Sequence, residues 1–358
     1  MNILEVIPSL GSGGAESFVC ELSNSLESNG HRVTILTFYD KINNLENKLN
    51  PNIRRCTISK KKGTDIGLFF KLLSFIKNEN FDVLHSHSGA IKYTILLPIF
   101  CKSTKNFATI HSEARREAGN VFERNIKKFL FKTGLCQAIA ISNESEKSFF
   151  EFYHKHAPIV LNGVSPYYCN SAQNLIKKCN EELIFFHAAS CQKVKNQERL
   201  FRAFNSLLEK YPNIRLIWAG NNSLYYELYE SLKPLMNDRI KYIGEVDNPR
   251  DYMYSADAFC LSSNMEGLPM TIIEAFSVGC PVLCTPVGGC VDIVKNGENG
   301  FLSKGMSVEE YADILKKFIE LSIVEKQKMK NCALQSFSKY SIEQTTKGYI
   351  KLFLNRTK

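Results

Sequence analysis

The stretch SSNMEGLPMTIIEAFSVGCPVLCTPVGG, residues 262–289, combines the patterns of a turn, a helix and a strand. The tripeptide GLP at 267–269 predicts the start of a helix, since proline suits the first helical position, where its missing N–H is no loss. The tripeptide GCP at 279–281 ends that helix and begins the apolar run PVLCTPV. Because another apolar run, AFCLSS (258–263), leads into the stretch, we expect a strand–helix–strand unit of an α/β protein.

Two glutamates, Glu266 and Glu274, flank the predicted helix start with seven residues between them. The N–H groups of Met270 and Thr271 fall in the first turn of this helix, where they have no intrahelical acceptor and attract anions. A carboxylate accepts hydrogen bonds from two hydroxyls, as sugars and ribose offer them. The spacing therefore favours a diphosphate held by backbone amides between two carboxylates that bind hydroxyls.

Strand-like and helical patterns alternate outward from this unit in both directions. Apolar runs that predict strands lie at 3–7, 33–38, 82–85, 107–110, 138–141 and 159–161 in the first half, and at 183–189, 214–220, 240–244, 258–263 and 281–287 in the second. The polar stretch CNSAQNLIKKCNEE (169–182) predicts a linker. We therefore expect an α/β fold with two Rossmann-like, doubly wound parallel-sheet domains, 1–168 and 183–340, facing a cleft at the carboxyl ends of their strands.

A glycine-rich turn, IPSLGSGGAE (7–16), follows the first predicted strand. Gly11 and Gly13 match the first two glycines of a dinucleotide-binding fingerprint, and Asp40 imitates its acidic residue. The third glycine position is Glu16, whose side chain would crowd the helix–strand contact that this glycine normally allows. The turn therefore favours an anion site at a helix N-terminus over a dinucleotide site.

Composition excludes several classes of protein. The chain has 358 residues, 44% hydrophobic and 23% charged, which is typical of a soluble globular protein of about two domains. We expect no secretory signal at the amino terminus, and the apolar runs are shorter than the roughly 20 residues of a membrane span. None of the 12 cysteines has CxxC spacing, which favours reduced, cytoplasmic thiols over disulfides or a metal site.

The net charge of +9 is concentrated in residues 92–132, which hold nine basic and three acidic residues. Within them, RREAGNVFERNIKKFLFK (115–132) predicts an amphipathic helix. Its apolar and basic residues interleave: Phe122, Ile126, Phe129 and Leu130 with Arg124, Lys127, Lys128 and Lys132. Two interpretations stay open, a surface for anionic lipid headgroups and an ordinary helix with a solvated charged face. No nucleic-acid motif accompanies the charge, so we expect no nucleic-acid partner.

The stretch 262–289 resembles the E-x7-E signature of the retaining glycosyltransferases of family 4, which have the GT-B fold. The similarity continues over most of the chain. Its further landmarks are GGAE (13–16), ATIHSE (108–113), ISN (141–143) and VLNGV (160–164), then QKVKNQERLFRAF (192–204), WAGNN (218–222), YIGEV (242–246) and VGGCVDIVKNGENGFL (287–302). As in that family, the last helix, within 341–358, is expected to pack back on the first domain.

The resemblance implies a donor-binding set in the second domain. Glu274 would bind the ribose hydroxyls of a nucleotide-sugar donor, Glu266 the donor sugar near the reacting centre, and Lys195 the leaving diphosphate. The backbone after Glu266 would complete this clamp, through Gly267, Leu268, Pro269, Met270 and Thr271. The alternative for Lys195 is a solvated lysine at a helix start.

In the first domain the resemblance implies that His111 faces the donor sugar across the cleft. Gly13 and Gly14 would border the diphosphate and the acceptor. His111 follows an apolar run, so a core histidine is the alternative. His85 and His87 share one face of a strand, as metal ligands can, but no further His, Cys or acidic pair in the sequence completes a plausible shell. A structural or acceptor-side role is expected for this pair.

The sequence departs from the family pattern at two positions. Ser190 stands where family members usually have an arginine that also binds the diphosphate, and a hydroxyl brings a hydrogen bond without charge. Asp292 replaces a common glutamate. The chain contains no D-x-D triplet, a motif that is usual in enzymes that hold a nucleotide sugar through a divalent metal. We therefore expect catalysis without a metal or another cofactor.

The resemblance implies a retaining glycosyltransferase at the inner face of the plasma membrane, cytoplasmic and peripherally attached. It would move a hexose or N-acetylhexosamine from a nucleotide sugar, a UDP-sugar by preference, to a polyprenyl-diphosphate-linked glycan of a surface polysaccharide such as O-antigen or capsule. Two alternatives remain. One is a nucleotide-sugar epimerase or hydrolase of the same fold, and the other is a non-catalytic partner that binds a glycan or lipid carrier.

Overall fold

A computed structural model describes residues 1–11, 13–39, 46–61, 65–111, 114–168, 176 and 182–355. The chain divides into two compact units. Unit 1 contains residues 1–165 and 340–358, and unit 2 contains residues 166–339. Asp40 lies outside the described residues, and so does the predicted linker, 169–182, apart from residues 176 and 182.

Twelve strands lie in the described part of the chain, six in each unit. They are β1 (Asn2–Val6), β2 (Arg32–Thr37), β3 (Arg54–Thr57), β4 (Val83–His87), β5 (Lys105–Ile110), β6 (Gln137–Ala140), β7 (Leu183–Ala188), β8 (Ile214–Ala219), β9 (Ile240–Tyr242), β10 (Ala258–Leu261), β11 (Val282–Cys284) and β12 (Gly300–Leu302). All the pairings between them are parallel.

Fifteen α-helices, several of them a single turn long, are described. They are α1 (Gly14–Ser28), α2 (Ile66–Glu79), α3 (Ile91–Thr94), α4 (Leu97–Phe100), α5 (Ala114–Glu117), α6 (Val121–Thr133), α7 (Asn143–Tyr153), α8 (Gln197–Asn205), α9 (Tyr226–Leu232), α10 (Pro249–Ser255), α11 (Met270–Ser277), α12 (Cys290–Ile293), α13 (Val308–Glu320), α14 (Ile323–Phe337) and α15 (Ile342–Asn355). Short 3₁₀ turns link some of them.

The two sheets have the same strand order. Unit 1 runs β3-β2-β1-β4-β5-β6, and unit 2, followed from its other edge, runs β9-β8-β7-β10-β11-β12. Numbered within each unit, both orders are 3-2-1-4-5-6, the doubly wound arrangement of the Rossmann fold. The predicted α/β fold class with two doubly wound parallel sheets is confirmed. The order reverses between β1 and β4 in unit 1 and between β7 and β10 in unit 2, and ligands bind at the carboxyl ends of such strands.

Helices cover both faces of the unit 1 sheet. Leu4, Leu84 and Ala108 point to the face covered by α2, α3, α4, α6 and α7, whose apolar side chains complete two core clusters. The alternate strand residues point to the other face, where α1 packs against α15. There the rings of Tyr349 and Phe353, both fully buried, contact the strands. Because side chains alternate along a strand, each residue belongs to one layer only.

Unit 2 buries a large apolar cluster around its central strands. Trp218 on β8, the only tryptophan of the chain, is fully buried there with Phe201 and Phe204 of α8. The helices α8 and α13 pack against each other over this face of the sheet. The cluster gives β7 and β10 a rigid support, so the loops that follow these strands start from fixed positions.

The short strands differ most from the sequence prediction. β3, with the sequence RRCT, and β12, with GFL, are absent from the predicted set because a polar edge strand and a three-residue strand have little apolar pattern. The predicted strand at 159–161 forms only an isolated bridge between Ile159 and Ala140. The helix predicted from Pro269 begins one residue later, at Met270.

Candidate active site

Two loops meet where the strand order of unit 2 reverses. Residues 189–196 follow β7, and residues 262–269 follow β10, its neighbour in the sheet. Every residue predicted from the sequence to bind the donor in unit 2, except Glu274 and the two at the start of α11, lies in one of these two loops. Parallel pairing thus brings together segments about seventy residues apart.

Hydrogen bonds join the two loops directly. The Ser262 hydroxyl donates to the carbonyl oxygens of Lys195 and Asn196, at 3.1 and 2.9 Å. The backbone N–H of Asn264 donates to the Val194 carbonyl at 2.7 Å. Asn196 has a left-handed backbone (φ 46°) and caps α8 with its side chain. The loops therefore form one bonded structure, and Lys195 lies within it.

Arg199 strengthens this junction from the first turn of α8. Its guanidinium donates to the Ser262 carbonyl at 2.7 Å and to Asn264 Oδ1 at 2.8 Å. The residue is only 8% exposed, so its charge is committed to holding the loops together. Arg199 could not be predicted from the sequence, because an arginine in the first turn of a helix has no distinctive pattern.

Lys195 and Glu266 form an ion pair at the centre of the site. Lys195 Nζ lies 2.8 Å from Glu266 Oε1, and the side chains are 25% and 9% exposed. The Ser263 hydroxyl donates to the same oxygen. Within the described residues Glu266 Oε2 has no hydrogen-bond partner. An ammonium has three N–H groups, so Lys195 can keep this pair and also bind an anion.

The start of α11 leaves two backbone amides available. Pro269 occupies the N-cap position, without a side-chain cap, and its carbonyl accepts from Ile272 N at 3.1 Å. The amides of Met270 and Thr271 donate to no acceptor in the described part of the chain. Glu274 lies half-buried in the next turn of the same helix. The two amides follow Glu266 by four and five residues in the chain, and their role in a diphosphate clamp stays a prediction.

A pair of glycines allows another loop to pack closely on this turn. Gly289 N donates to the carbonyl of Gly267 at 2.6 Å. Gly288 has a positive φ of 49°, and a Cβ there would lie 1.9 Å from the carbonyl oxygen of Glu266. A larger residue at 288 would displace the backbone that carries Glu266. The close packing of Gly288 and Gly289 on this turn thus explains the two glycines of the VGG landmark.

Ser190 and Asp292 occupy positions where the sequence departs from the family pattern. Gln192 Nε2 donates to the Ser190 hydroxyl at 2.9 Å, so the side chain belongs to the loop after β7 but adds no positive charge. Asp292 lies exposed in α12. In this loop Lys195 therefore carries the positive charge nearest to Glu266.

In unit 1, the glycine-rich turn leads from β1 to α1. Gly13 is the N-cap of α1 and Gly14 its first residue, both exposed, while Ser12 lies outside the described residues. Gly13 has an extended backbone (φ −93°), so its small size rather than its conformation distinguishes it. Glu16 lies in the first helical turn, where its negative charge interacts favourably with the helix dipole.

His111 lies half-buried directly after β5. Its Nε2 is 2.9 Å from His87 Nδ1, and its ring contacts Phe18 of α1 edge-on at 5.7 Å. The next two residues of the ATIHSE landmark, 112 and 113, lie outside the described residues. His111 is therefore attached to a histidine network within the sheet.

That network centres on Glu5, which the sequence analysis missed. Glu5 Oε2 lies 2.6 Å from His87 Nε2 and 2.9 Å from His85 Nδ1, and all three residues are fully buried. β1 and β4 are paired with Glu5 opposite His85. His85 Nε2 in turn meets the Thr109 hydroxyl at 2.7 Å. The sequence signal that could have revealed this network is a glutamate in one apolar strand together with an H-x-H pattern in another.

Glu5, His85 and His87 place three potential metal-ligand atoms within 4.8 Å of one another. The sequence interpretation found no further His, Cys or acidic pair to complete a metal shell, and the structure adds Glu5 as a third candidate ligand. Ligands of one Zn²⁺ at about 2.0–2.2 Å in a tetrahedron are separated by more than 3 Å. The contacts of 2.6 and 2.9 Å are shorter and have the length of hydrogen bonds. The geometry therefore favours shared protons over a shared metal.

The predicted amphipathic helix is α6, and its apolar side is largely in the core. Leu130 is fully buried and Ile126 packs against the same cluster. Lys127 is also buried and donates to the carbonyl of Glu117, and burial lowers its pKa. The expectation of Lys127 as an exposed basic residue is wrong. The exposed residues of this helix include Arg124, Lys128, Phe129 and Lys132, while the side chain of Phe122 is not described.

Among the helices of the described residues, none has the length and hydropathy that a bilayer crossing requires.

Known protein families match both units. Residues 12–167 match Glycosyltransferase Family 4, and residues 172–335 match Glycosyl transferases group 1. The chain belongs to the family 4 glycosyltransferases. The resemblance inferred from E-x7-E is thereby confirmed at the level of the family.

Two curated relatives align over most of this family 4 glycosyltransferase. One, from Campylobacter jejuni, is the GalNAc-alpha-(1->4)-GalNAc-alpha-(1->3)-diNAcBac-PP-undecaprenol alpha-1,4-N-acetyl-D-galactosaminyltransferase. It is 25% identical over 366 aligned residues, covering 98% of each chain. The other is the capsular polysaccharide biosynthesis glycosyltransferase CapH of Staphylococcus aureus, 26% identical over 80% of this chain and 81% of CapH.

Solved structures show the same fold. A glycosyltransferase from Rickettsia africae superposes with a TM-score of 0.84 at 19% identity and covers 99% of both chains. HepE from Anabaena, solved in complex with UDP, has a TM-score of 0.82 at 18% identity, covering 99% of this chain and all of that one. These similarities establish the GT-B fold of the glycosyltransferase.

Proposed function

We propose that this glycosyltransferase moves a hexose or N-acetylhexosamine from a UDP-sugar to a polyprenyl-diphosphate-linked glycan in surface-polysaccharide biosynthesis. The observation that carries the proposal is the ion pair of Lys195 and Glu266 where the unit 2 strand order reverses. The Campylobacter relative acts on an undecaprenol-linked glycan, and CapH serves capsule biosynthesis. Both names support this acceptor class.

The donor diphosphate is proposed to bind between Lys195 and the free amides of α11. Lys195 neutralises the negative charge that develops on the leaving diphosphate, and the amides of Met270 and Thr271 donate to its oxygens. Glu274 binds the ribose hydroxyls. Glu266, whose Oε2 faces no partner in the described residues, accepts from a hydroxyl of the donor sugar. Ser190 adds a hydrogen bond without charge.

The transfer is proposed to proceed with retention and without a metal. The bond from the anomeric carbon to the diphosphate breaks while the bond to the acceptor oxygen forms on the same face. The acceptor proton passes to the leaving phosphate, so no enzymic nucleophile is needed. His111 binds a hydroxyl of the sugar substrate, and Gly13 and Gly14 leave room for phosphate and acceptor to approach the backbone. Lys195 supplies charge that a divalent metal supplies in enzymes with a D-x-D motif.

The test is turnover of a panel of UDP- and GDP-sugars with lipid-linked acceptors, in the presence of EDTA. Transfer of one sugar with retained configuration, lost in Glu266→Gln, supports the proposal. Loss of activity in EDTA that Mg²⁺ restores would remove the metal-independent part. Epimerised or hydrolysed donor without any acceptor would favour the epimerase or hydrolase alternative. Donor binding without turnover, unchanged in Glu266→Gln, would favour a binding partner.

We further propose that unit 1 attaches peripherally to the inner leaflet of the plasma membrane, which places the enzyme in the cytoplasm. One helix layer, formed by α2, α3, α4 and α6, exposes large apolar side chains. Ile66 and Phe70 of α2 are 71% and 63% exposed, and Phe100 of α4 is 51% exposed. Lys71 and Lys102 are exposed beside them in the chain. Apolar side chains with basic neighbours suit an anionic lipid surface.

The same layer carries the basic face of α6. Arg124, Lys128 and Lys132 are exposed together with Phe129, which is 56% exposed. The layer is continuous because Lys92 of α3 pairs with Glu123 of α6 at 2.7 Å, and α2 packs against α3 and α4. Basic residues near an anionic leaflet are attracted by its surface potential. The proposed contact surface is therefore the outer side of this layer rather than α6 alone.

A further inference from the structure

A buried chain of hydrogen bonds leads from Glu5 through His87 to His111 in unit 1. Glu5 Oε2 lies 2.6 Å from His87 Nε2, and His87 Nδ1 lies 2.9 Å from His111 Nε2. Glu5 and His87 are fully buried inside the sheet layer, whereas His111 is half-buried after the carboxyl end of β5. The chain thus connects a buried carboxylate with a side chain that solvent reaches.

The proton positions along this chain follow from the charge of Glu5. An ionised carboxylate only accepts hydrogen bonds, so His87 Nε2 has to carry the proton of that bond. A neutral imidazole has a single N–H, which makes His87 Nδ1 an acceptor. His111 Nε2 must therefore donate to it. In a neutral His111 this leaves Nδ1 without a proton and able to accept a hydrogen bond.

The surroundings support these charge states. Burial alone would raise the pKa of Glu5, but the charge and hydrogen bonds of His85 and His87 outweigh it and lower that pKa to about 2. Burial lowers the pKa of His87 to about 4 and holds that of His111 well below its ordinary value. The other described groups that face the chain are His85, the Thr109 hydroxyl and the rings of Phe18 and Tyr349.

We propose that Glu5 and His87 are positioning residues that hold His111 in the Nε2–H tautomer, with Nδ1 accepting a hydrogen bond from a hydroxyl of the sugar substrate. This assignment rests on the proposed function, in which His111 binds that sugar. It specifies the ligand of His111 as a neutral hydroxyl. A phosphate is excluded as the partner of Nδ1, because a bare ring nitrogen offers no proton to an anion.

The tautomer can be measured without any substrate. In ¹⁵N-histidine-labelled protein, long-range ¹H–¹⁵N correlation spectra distinguish a bare ring nitrogen from a protonated one. The wild type should show His111 with a bare Nδ1 and a protonated Nε2. Glu5→Leu, which removes the terminal acceptor, should produce a mixture of tautomers. A protonated Nδ1 in the wild type would overturn the proposal even if no variant folds.

Thr109→Val is the matched control. It removes the hydroxyl that joins His85 to Tyr349 in the same buried network, at 2.7 and 3.0 Å, but leaves the route from Glu5 to His111 intact. The tautomer of His111 should be unchanged in this variant. If Glu5→Leu leaves the tautomer as unchanged as Thr109→Val does, Glu5 has no part in setting it.

Kinetics then separate positioning from general structural damage. Glu5→Leu should lower kcat/KM about tenfold, the size of one hydrogen bond, while Thr109→Val stays within about twofold. His111→Asn offers an amide oxygen near the place of Nδ1 that needs no tautomer. In that background Glu5→Leu should therefore cost less than about twofold. An equal cost in both backgrounds contradicts the proposal. A wild type without turnover contradicts only the proposed function, because the tautomer measurement is independent of it.

Discussion

The two units share one strand order, and yet the carboxyl ends of their central strands carry different chemistry. In unit 2 the charged residues Lys195 and Glu266 lie in loops beyond β7 and β10, partly exposed and paired with each other. In unit 1 the carboxylate of Glu5 lies within β1 and contacts two histidines under the helices. The same topology thus presents a charged pair in one unit and a buried network in the other.

The role of a side chain in these sheets depends on where its residue lies relative to the end of the strand. A residue on the face of a central strand is covered by helices and meets only protein, so it can order protons. A residue one loop further on is open to a ligand and can offer charge. Glu5 and Glu266 are both glutamates of a doubly wound sheet, and this difference in position separates their functions.

The largest effect is expected at the charged pair of unit 2. Lys195→Ala should lower kcat for sugar transfer by about 10²–10³, because it removes the positive group proposed to neutralise the leaving diphosphate. Steady-state kinetics with the preferred donor measure this loss. Lys193→Ala, two residues earlier in the same loop and exposed, should remain within about twofold. Equal rates for Lys195→Ala and the wild type would show that the ion pair is structural only.

The second prediction asks whether unit 2 also buries a neutral histidine. His187 Nδ1 of β7 donates to the Cys260 carbonyl at 2.8 Å, and burial lowers the pKa of His187 to about 4. The unfolded chain takes up this proton near pH 6.5 and the folded protein only near pH 4. Stability therefore falls as pH drops from 6.5 to 4, by about 3 kcal/mol from this group.

Urea unfolding followed by fluorescence of Trp218, the only tryptophan, measures the stability of unit 2. His187→Leu should lose the part of the pH dependence between 6.5 and 4 that His187 contributes, while other acidic groups keep theirs. An identical slope in variant and wild type over this range would show that the folded His187 titrates normally.

The third prediction concerns the close packing that supports Glu266. Gly288→Ala should destabilise unit 2 by about 2 kcal/mol more than Gly297→Ala, measured by Trp218 fluorescence in urea. Both glycines have positive φ, so the left-handed backbone cost of about 1–2 kcal/mol is common to both. A Cβ at 288 meets the Glu266 carbonyl at 1.9 Å, whereas one at 297 meets nothing within 4 Å. Equal destabilisation would mean that the loop at 288 adjusts freely.

The smallest effect concerns the surface of unit 1. Lys128→Glu should weaken flotation with vesicles that contain anionic lipid by about fivefold or more, because each basic residue near such a surface contributes about 1 kcal/mol. Lys347→Glu is the matched control, since Lys347 is an exposed lysine of α15, on the opposite face of the sheet. If both variants float equally well, the helix layer is not the membrane contact.

Much of unit 2 could be predicted from sequence because its signals are local. The glutamate spacing, the GLP turn and the GCP turn lie within 262–289, and the structure has the strand, helix and strand in that order. The observed start of α11, at Met270, lies one residue after the predicted start at Pro269. Lys195 required the family resemblance, since a lysine before a helix has no pattern of its own. The roles of these residues stay predictions.

The rest could not be predicted because it depends on which strands become neighbours. The pairing of Lys195 with Glu266 and the junction made by Arg199 arise only when β7 and β10 lie side by side. The network of Glu5 likewise depends on the register of β1 against β4. Lys127 was misjudged for a related reason, because helical periodicity does not reveal which long side chain finds a buried carbonyl.

The most direct test of the central claim is a crystal structure of the protein with a UDP-sugar. We predict diphosphate oxygens within hydrogen-bond distance of Lys195 Nζ and of the amides of Met270 and Thr271, with Glu274 on the ribose hydroxyls. A diphosphate held at Gly13 and Gly14 without contact to Lys195 or to the start of α11 would contradict it.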